Sequence, residues 1–267
     1  MKPHTARAAG YVACCLINAA VFAAWVGPAQ QPWPPIRQAV AIRGHEQSLY
    51  IYGSPRGEPV IVSSGDGGWI HLGPHVAEVL AARGFFVVGF DVKVYLSSFT
   101  SERSTLRPEE EPGDYRVLTD VAKKATGQKP ILIGVSEGAG LSVLAATDPA
   151  TKAAIAGVIG LGLPDLNELG WRWKDALIYL THRLPNEPSF SAAAIVDRVA
   201  PLPLAAVHST HDEFVPGTDV ERVLKAANEP KRLWMVPASN HRFSDNLDEF
   251  DRCLLEAIAW VNAHAPR

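Results

Sequence analysis

The chain has 267 residues, of which 47% are hydrophobic and 20% charged, with 25 basic against 28 acidic side chains and a formal net charge of −3. That length suits one large α/β core plus a leader, and the apolar fraction argues against a disordered chain. The near-balanced charge, without a long run of Lys or Arg, excludes nucleic acid as an expected partner.

The leader comes first in chain order. Lys2, His4 and Arg7 precede an apolar run over residues 8–26, and Gly27, Pro28 and Ala29 supply small residues after it. Residues 1–30 therefore read as a signal peptide, with an N-terminal membrane anchor as the alternative because the run reaches spanning length. Cys14 and Cys15 fall inside this run, which leaves Cys253 alone in a helical pattern. Neither an internal disulfide nor a cysteine zinc site is expected. Pro-rich residues 31–35 read as a linker. The organisation predicted is 1–30 leader, 31–48 linker and lead-in, and 49–267 catalytic domain.

Within the domain, residues 49–52 and 59–64 read as strands, the second stopped by Gly65-Asp66-Gly67-Gly68. Val76, Val79 and Leu80 recur at helical spacing before Gly84, and 85–90 is another buried strand. Residues 93–112 read as a long polar loop, 114–126 as a helix, 131–135 as a strand and 137–147 as a helix. Strands at 155–163, 202–208 and 232–236 follow. A last helix over 247–263 carries the stripe Leu254, Leu255, Ile258 and Val261. Residues 171–184 show no strand pattern and read as a short helical insertion. Strands with little alternation, separated by helices, predict a mostly parallel sheet covered on both faces.

Gly134-Val135-Ser136-Glu137-Gly138 joins one of those strands to an alanine-rich helix, the setting of a nucleophile elbow in an α/β-hydrolase fold. The competing role for Ser136 is a helix N-cap. A serine hydroxyl attacks only when a base takes its proton and a third group fixes the tautomer of that base. In this fold the acid and then the histidine follow the serine in sequence. Asp212 stands just past the 202–208 strand in an Asp-x-x-Val-Pro turn, with neighbouring Glu213 as its competitor, and His241 stands just past the 232–236 strand. The backbone N–H of Glu137 and that of Asp66 or Gly67 are the expected oxyanion donors. The glycine loop lacks the Gly-Lys-Ser/Thr ending of a phosphate-binding loop. His71 and His75 either face the site or start a helix. His208, His211 and Asp212 lack a matching further ligand, so no metal is expected, and acyl transfer by this triad needs no cofactor.

The Gly65-Asp66-Gly67-Gly68-Trp69 loop, the Val-Val-Gly-Phe-Asp segment at 87–91, Lys93 and Tyr95 beyond it, and the elbow with Gly138 and Ala139 resemble the bacterial virulence protein VirJ/AcvB family of α/β hydrolases. The likeness extends from residue 59 to the C-terminus. It implies export to the periplasm and hydrolysis of aminoacylated phosphatidylglycerol. Two departures stand out: Glu137 occupies a position where the family tends to have an aromatic residue, and the aromatic-rich stretch becomes Tyr95-Leu96-Ser97-Ser98-Phe99. Glu137 either attracts an aminoacyl ammonium or faces solvent at its helix start, where the dipole favours it. Trp69, Tyr95, Trp171, Arg172 and Trp173 are the expected substrate-binding residues. Trp171, Trp173, Leu177, Tyr179 and Leu180 form a lid or acyl pocket, or else pack as core, and Arg172 and Lys174 are available to an anionic head group. The expected partner is a small-molecule or lipid ester, with association at a membrane surface. The competing function is a non-catalytic periplasmic binding or secretion-accessory protein on the same scaffold. Acyl transfer to another acceptor would use the same residues as hydrolysis.

Overall fold

The computed structural model of the chain describes residues 34–173 and 187–266. The predicted leader at 1–30 lies outside them, as does the insertion from 174 to 184 with Lys174, Leu177, Tyr179 and Leu180. The strands in chain order are β1 (Ile36–Ile42), β2 (His45–Tyr52), β3 (Pro59–Ser63), β4 (Phe86–Phe90), β5 (Ile131–Val135), β6 (Gly157–Leu161), β7 (Leu166–Glu168), β8 (Ser189–Ser191), β9 (Leu204–Ser209) and β10 (Lys231–Val236). β7 and β8 pair as a separate antiparallel ribbon, and the other eight form one sheet in the order β1-β2-β4-β3-β5-β6-β9-β10. Only β1 with β2 and β2 with β4 run antiparallel; from β4 to β10 every neighbour is parallel. This is the α/β-hydrolase fold that the sequence predicts.

The central strands β3, β4, β5 and β6 are buried along their whole length. Their side chains alternate between two cores, so both faces must be apolar. Val60, Val62, Ile131 and Ile133 point to one face, where α1 (Leu72–Ala82) and the last helix cover them. Ile61, Val88 and Leu132 point to the other, beneath α2 (Val92–Phe99), α3 (Glu111–Thr126) and α4 (Glu137–Ala146). Each fully buried Val, Leu or Ile in these layers stabilises the fold by about 2 kcal/mol. The short α5 (Pro149–Ala154), α6 (Gly217–Ala226) and α7 (Leu247–His264) complete the helices among the described residues.

Four features differ from the sequence reading. Residues 36–48, assigned there to linker and lead-in, form β1 and the first half of β2, joined by a tight turn with positive φ at both Arg43 (46°) and Gly44 (85°). That pair of angles suits the two-residue hairpin turn whose twist matches its strands. The supposed loop at 93–112 begins with α2: Asp91 caps it by accepting from the Val94 N–H (3.1 Å), and Val92, Tyr95 and Leu96 bury one face. α3 starts at Glu111 rather than 114. Finally, α5, α6 and the β7/β8 ribbon lie in stretches for which no such element is expected.

Because β3, β4, β5, β6, β9 and β10 are parallel, their carboxyl ends lie along one edge of the sheet, where open α/β sheets build their sites. The glycine loop after β3, Ser136 after β5, Asp212 after β9 and His241 after β10 all leave from that edge.

Candidate active site

Ser136 follows β5 at φ 49° and ψ −116°, a backbone region that is strained for a residue with a Cβ. The turn is closed tightly from both sides. A Cβ on Gly134 would lie 2.1 Å from the Gly138 carbonyl oxygen, and one on Gly138 would lie 2.4 Å from that of Ser64. Both glycines of the motif are thus required by close approach of backbone. The Ser136 N–H donates to the Leu161 carbonyl (2.8 Å), which ties the elbow to β6, and the Ser136 side chain makes no helix-capping hydrogen bond. The competing N-cap role is not taken up.

Asp212 and His241 are in contact. Asp212 Oδ1 accepts from the Phe214 and Val215 N–H groups (3.0 and 2.8 Å), a local turn typical of aspartate, while Oδ2 lies 2.6 Å from His241 Nδ1. Burial opposes the charge on Asp212. The hydrogen bond from His241, the charge of its ring and the two amides outweigh burial and hold the carboxyl below the usual carboxylate range. A neutral imidazole that donates Nδ1–H to this carboxylate carries its lone pair on Nε2. The imidazole packs close against backbone: Gly162 has φ 60°, and a Cβ there would come within 2.5 Å of His241 Cε1. Glu213, the competing acid, instead accepts the backbone N–H of His241 at 2.6 Å. Of the other histidines, His75 pairs with Asp251 (2.8 Å), His211 with the Thr210 hydroxyl (3.0 Å), and His208 is fully buried at the end of β9.

Ser136, Glu137 and His241 open into one cavity of about 460 Å³, which the glycine loop enters with Gly65, Asp66 and Gly67. A Cβ on Gly65 would stand 3.4 Å from that of Ser136, so the loop lies directly against the elbow. His71, Ile70, Leu166, Glu168, Arg222 and Arg242 also line the space. The Glu137 carboxyl is almost wholly buried, and its Oε1 has no hydrogen-bond partner among the described residues. Burial, together with nearby Glu168 and Asp66, pushes its pKa well above the ordinary carboxylate value.

The substrate-binding residues expected from sequence are elsewhere, and none of the five lines this cavity. Tyr95 is fully buried, with its hydroxyl donating to Asp114 (2.6 Å) and its ring among Phe90 and Phe99. Trp69 stacks on Tyr50 at 4.9 Å and fills the space left by Gly89, where a Cβ would meet the indole at 2.3 Å. Trp171 lies under the Lys93 ammonium (4.3 Å) and donates its backbone N–H to the Thr100 hydroxyl (3.1 Å). Arg172 is paired with Glu187 and donates to the Ser101 carbonyl (2.6 Å). Trp173 is 80% exposed. Tyr95 thus fills the core under α2 and Trp69 the space over Gly89 of β4, while Trp173 stays in solvent. The polar lining that the sequence reading missed, Glu168, Arg222 and Arg242, comes from the ribbon, from α6 and from the residue after His241. Only for Arg242, adjacent to the histidine, was there a positional signal.

Comparison with known proteins agrees with this fold. The profile of the family described as bacterial virulence protein (VirJ) matches residues 58–258. An uncharacterized protein of Mycobacterium tuberculosis is 26% identical over 209 residues, which cover 76% of this chain and 68% of that one. Two solved structures share the fold. The α/β hydrolase GrgF from Penicillium superposes with a TM-score of 0.65 at 15% identity, over 87% of this chain and 99% of its own. Est1E from Butyrivibrio proteoclasticus gives 0.61 at 16% identity, over 84% and 99%. Among the described residues, no helix is long and apolar enough to cross a membrane.

Proposed function

The chain belongs to the VirJ family of bacterial virulence proteins, and on that premise we propose that it is an exported serine hydrolase that cleaves a carboxylic ester through an acyl-enzyme. The observation that carries this reading is the His241–Asp212 pair, at 2.6 Å, opening into the same cavity as a serine held in a strained elbow. Ser136 Oγ attacks the ester carbonyl while His241 Nε2 takes its proton, and Asp212 stabilises the imidazolium that forms. The backbone N–H of Glu137 and that of Asp66 or Gly67 hold the oxyanion. The imidazolium then protonates the leaving alkoxide, and water, activated by the same base, releases the acid from Ser136. The cycle calls for no cofactor.

The substrate class proposed is an aminoacyl ester of phosphatidylglycerol, met at the periplasmic membrane surface, with residues 1–30 acting as signal or anchor. Three acids support it: Glu137, Glu168 and Asp66 line the cavity, where an α-ammonium would find a counter-charge. Arg222 and Arg242 line the same space and suit a phosphate, and Ile70 and Leu166 are half-exposed apolar groups among the lining residues, suited to a lipid surface. Burial raises the Glu137 pKa, and an arriving ammonium would act in the opposite direction.

The test is labelling with a fluorophosphonate probe alongside turnover of short-chain nitrophenyl esters. The native protein is expected to be labelled and active, and Ser136→Ala to lose both. Labelling of the alanine variant at the native rate would refute the nucleophile. A folded native protein that neither takes label nor turns over ester would favour the binding-protein reading.

A further inference from the structure

We infer that Glu213 is a positioning residue that, together with Asp212, closes a two-point clasp on the base. The two acids are consecutive, yet they grip different parts of His241: Asp212 Oδ2 holds the ring at Nδ1, and Glu213 Oε2 accepts the backbone N–H, both at 2.6 Å. The loop carrying His241 is otherwise bonded mainly to itself. The Asp245 carboxylate accepts the Ser239 N–H (3.0 Å), and Asn240 Oδ1 accepts the N–H groups of Arg242 and Ser244 (3.1 Å each). At its root it is tied to the acid loop by the Ser209 hydroxyl, which donates to the Ala238 carbonyl at 2.9 Å. At its tip, the Glu213 bond is the tie from the acid loop to the histidine backbone.

The contact at Nδ1 fixes one ring atom, and Gly162 and Phe214 pack beside the imidazole, but none of these holds the backbone that carries it. The second contact fixes the backbone from which the ring hangs, so Nε2 keeps its place relative to Ser136. Misplacement of a reacting group by about 1 Å costs on the order of 100-fold in rate, and a bond from an amide to a carboxylate is among the stronger hydrogen bonds. The clasp therefore acts on catalysis through His241 and not on substrate.

The kinetic half of this inference rests on the hydrolase reading, so the test pairs turnover with a measurement that needs none. Glu213→Ala is expected to lower kcat for a short-chain nitrophenyl ester about tenfold or more, with KM within about twofold. Glu213→Gln keeps an oxygen acceptor and is expected within about threefold of the native kcat. Proton spectra of nitrogen-labelled protein are expected to show the low-field Nδ1–H of His241 in the native and Gln proteins and to show it broadened or lost in the Ala protein. Glu213 is exposed, and melting curves verify that both variants fold. An Ala variant with native kcat and an unchanged low-field proton would overturn the clasp. A native protein with no ester turnover refutes the hydrolase reading instead, and the proton resonance then decides the clasp by itself.

Discussion

The buried carboxyls of Asp212 and Glu137 have pKa values shifted in opposite directions, and that opposition is measurable. Asp212 has a depressed pKa because His241 and two amides favour its charge over the cost of burial. Its contribution to stability is present above the unfolded value, about 3.9, and is lost as pH falls through the lower folded value. Glu137 has a raised pKa because burial, Glu168 and Asp66 penalise its charge. Its contribution is fully present below the unfolded value, about 4.3, and is lost as pH rises through the folded value. In urea melts across a pH series, Asp212→Asn is therefore expected to lose most against the native protein above about pH 4 and least in strong acid. Glu137→Gln is expected to gain on the native protein as pH climbs above about 4. A pH-independent gap for either variant would mean that the carboxyl does not titrate as its surroundings dictate. The same coupling predicts that KM for an ester with an α-ammonium rises on Glu137→Gln, while KM for its acetyl counterpart stays put, as steady-state kinetics on the pair would show. At this scale Ser136, Asp212 and His241 stood out as candidates because chain order and strand ends mark them, and the structure brings Asp212 and His241 into contact. The partner of Glu213 was not, since a side chain that grips a backbone amide leaves no pattern in sequence.

Elements were legible where burial is one-dimensional. The strands β3 to β6 are apolar throughout because helices cover both faces, and α7 repeats its apolar residues at helical spacing from Phe250 to Val261. Elements were missed where partners elsewhere supply the reason to form. β1 is mostly exposed and has no apolar rhythm; its register with β2, from Ile36 against Ile51 to Ile42 against His45, comes from the turn and the ladder. The β7/β8 ribbon is anchored by Asp165, which accepts from the Ser191 hydroxyl (2.7 Å) and from Arg222 of α6 (2.8 Å). The sharpest prediction here concerns the loop after β6. Gly162 has a positive φ, and a Cβ would strike the His241 ring, so Gly162→Ala combines backbone strain with a clash worth about 1–3 kcal/mol. It is expected to lower the melting temperature by several degrees for this stability loss and to slow fluorophosphonate labelling by a larger factor than melting alone would suggest. Labelling at the native rate would show that the ring does not rest on that backbone.

For the whole molecule, the position of β1 sets where the folding unit begins. A chain started at residue 34 retains every described strand, whereas one started at residue 49 loses β1 and the first half of β2, along with the Arg43 side chain that bonds Asp114 at 2.7 Å and Glu110 at 2.5 Å. The first is expected to melt like the full chain. The second is expected to melt lower or aggregate, because a shortened, partly unpaired edge seeks other strands. Equal melting of the two would show that the domain needs nothing before residue 49. By itself the sequence determined the central sheet, the layering of helices and the order of the candidate nucleophile, acid and base, because these follow from hydrophobic spacing and from glycines at turns that admit no side chain. Only the tertiary structure decided what surrounds the serine. Glu168, Arg222 and Arg242 arrive from the ribbon, from α6 and from the loop after β10, while Tyr95 and Trp69, which looked like substrate contacts, went to core recesses. A cavity is defined by elements distant in sequence that meet in space, and no local pattern along the chain records their meeting.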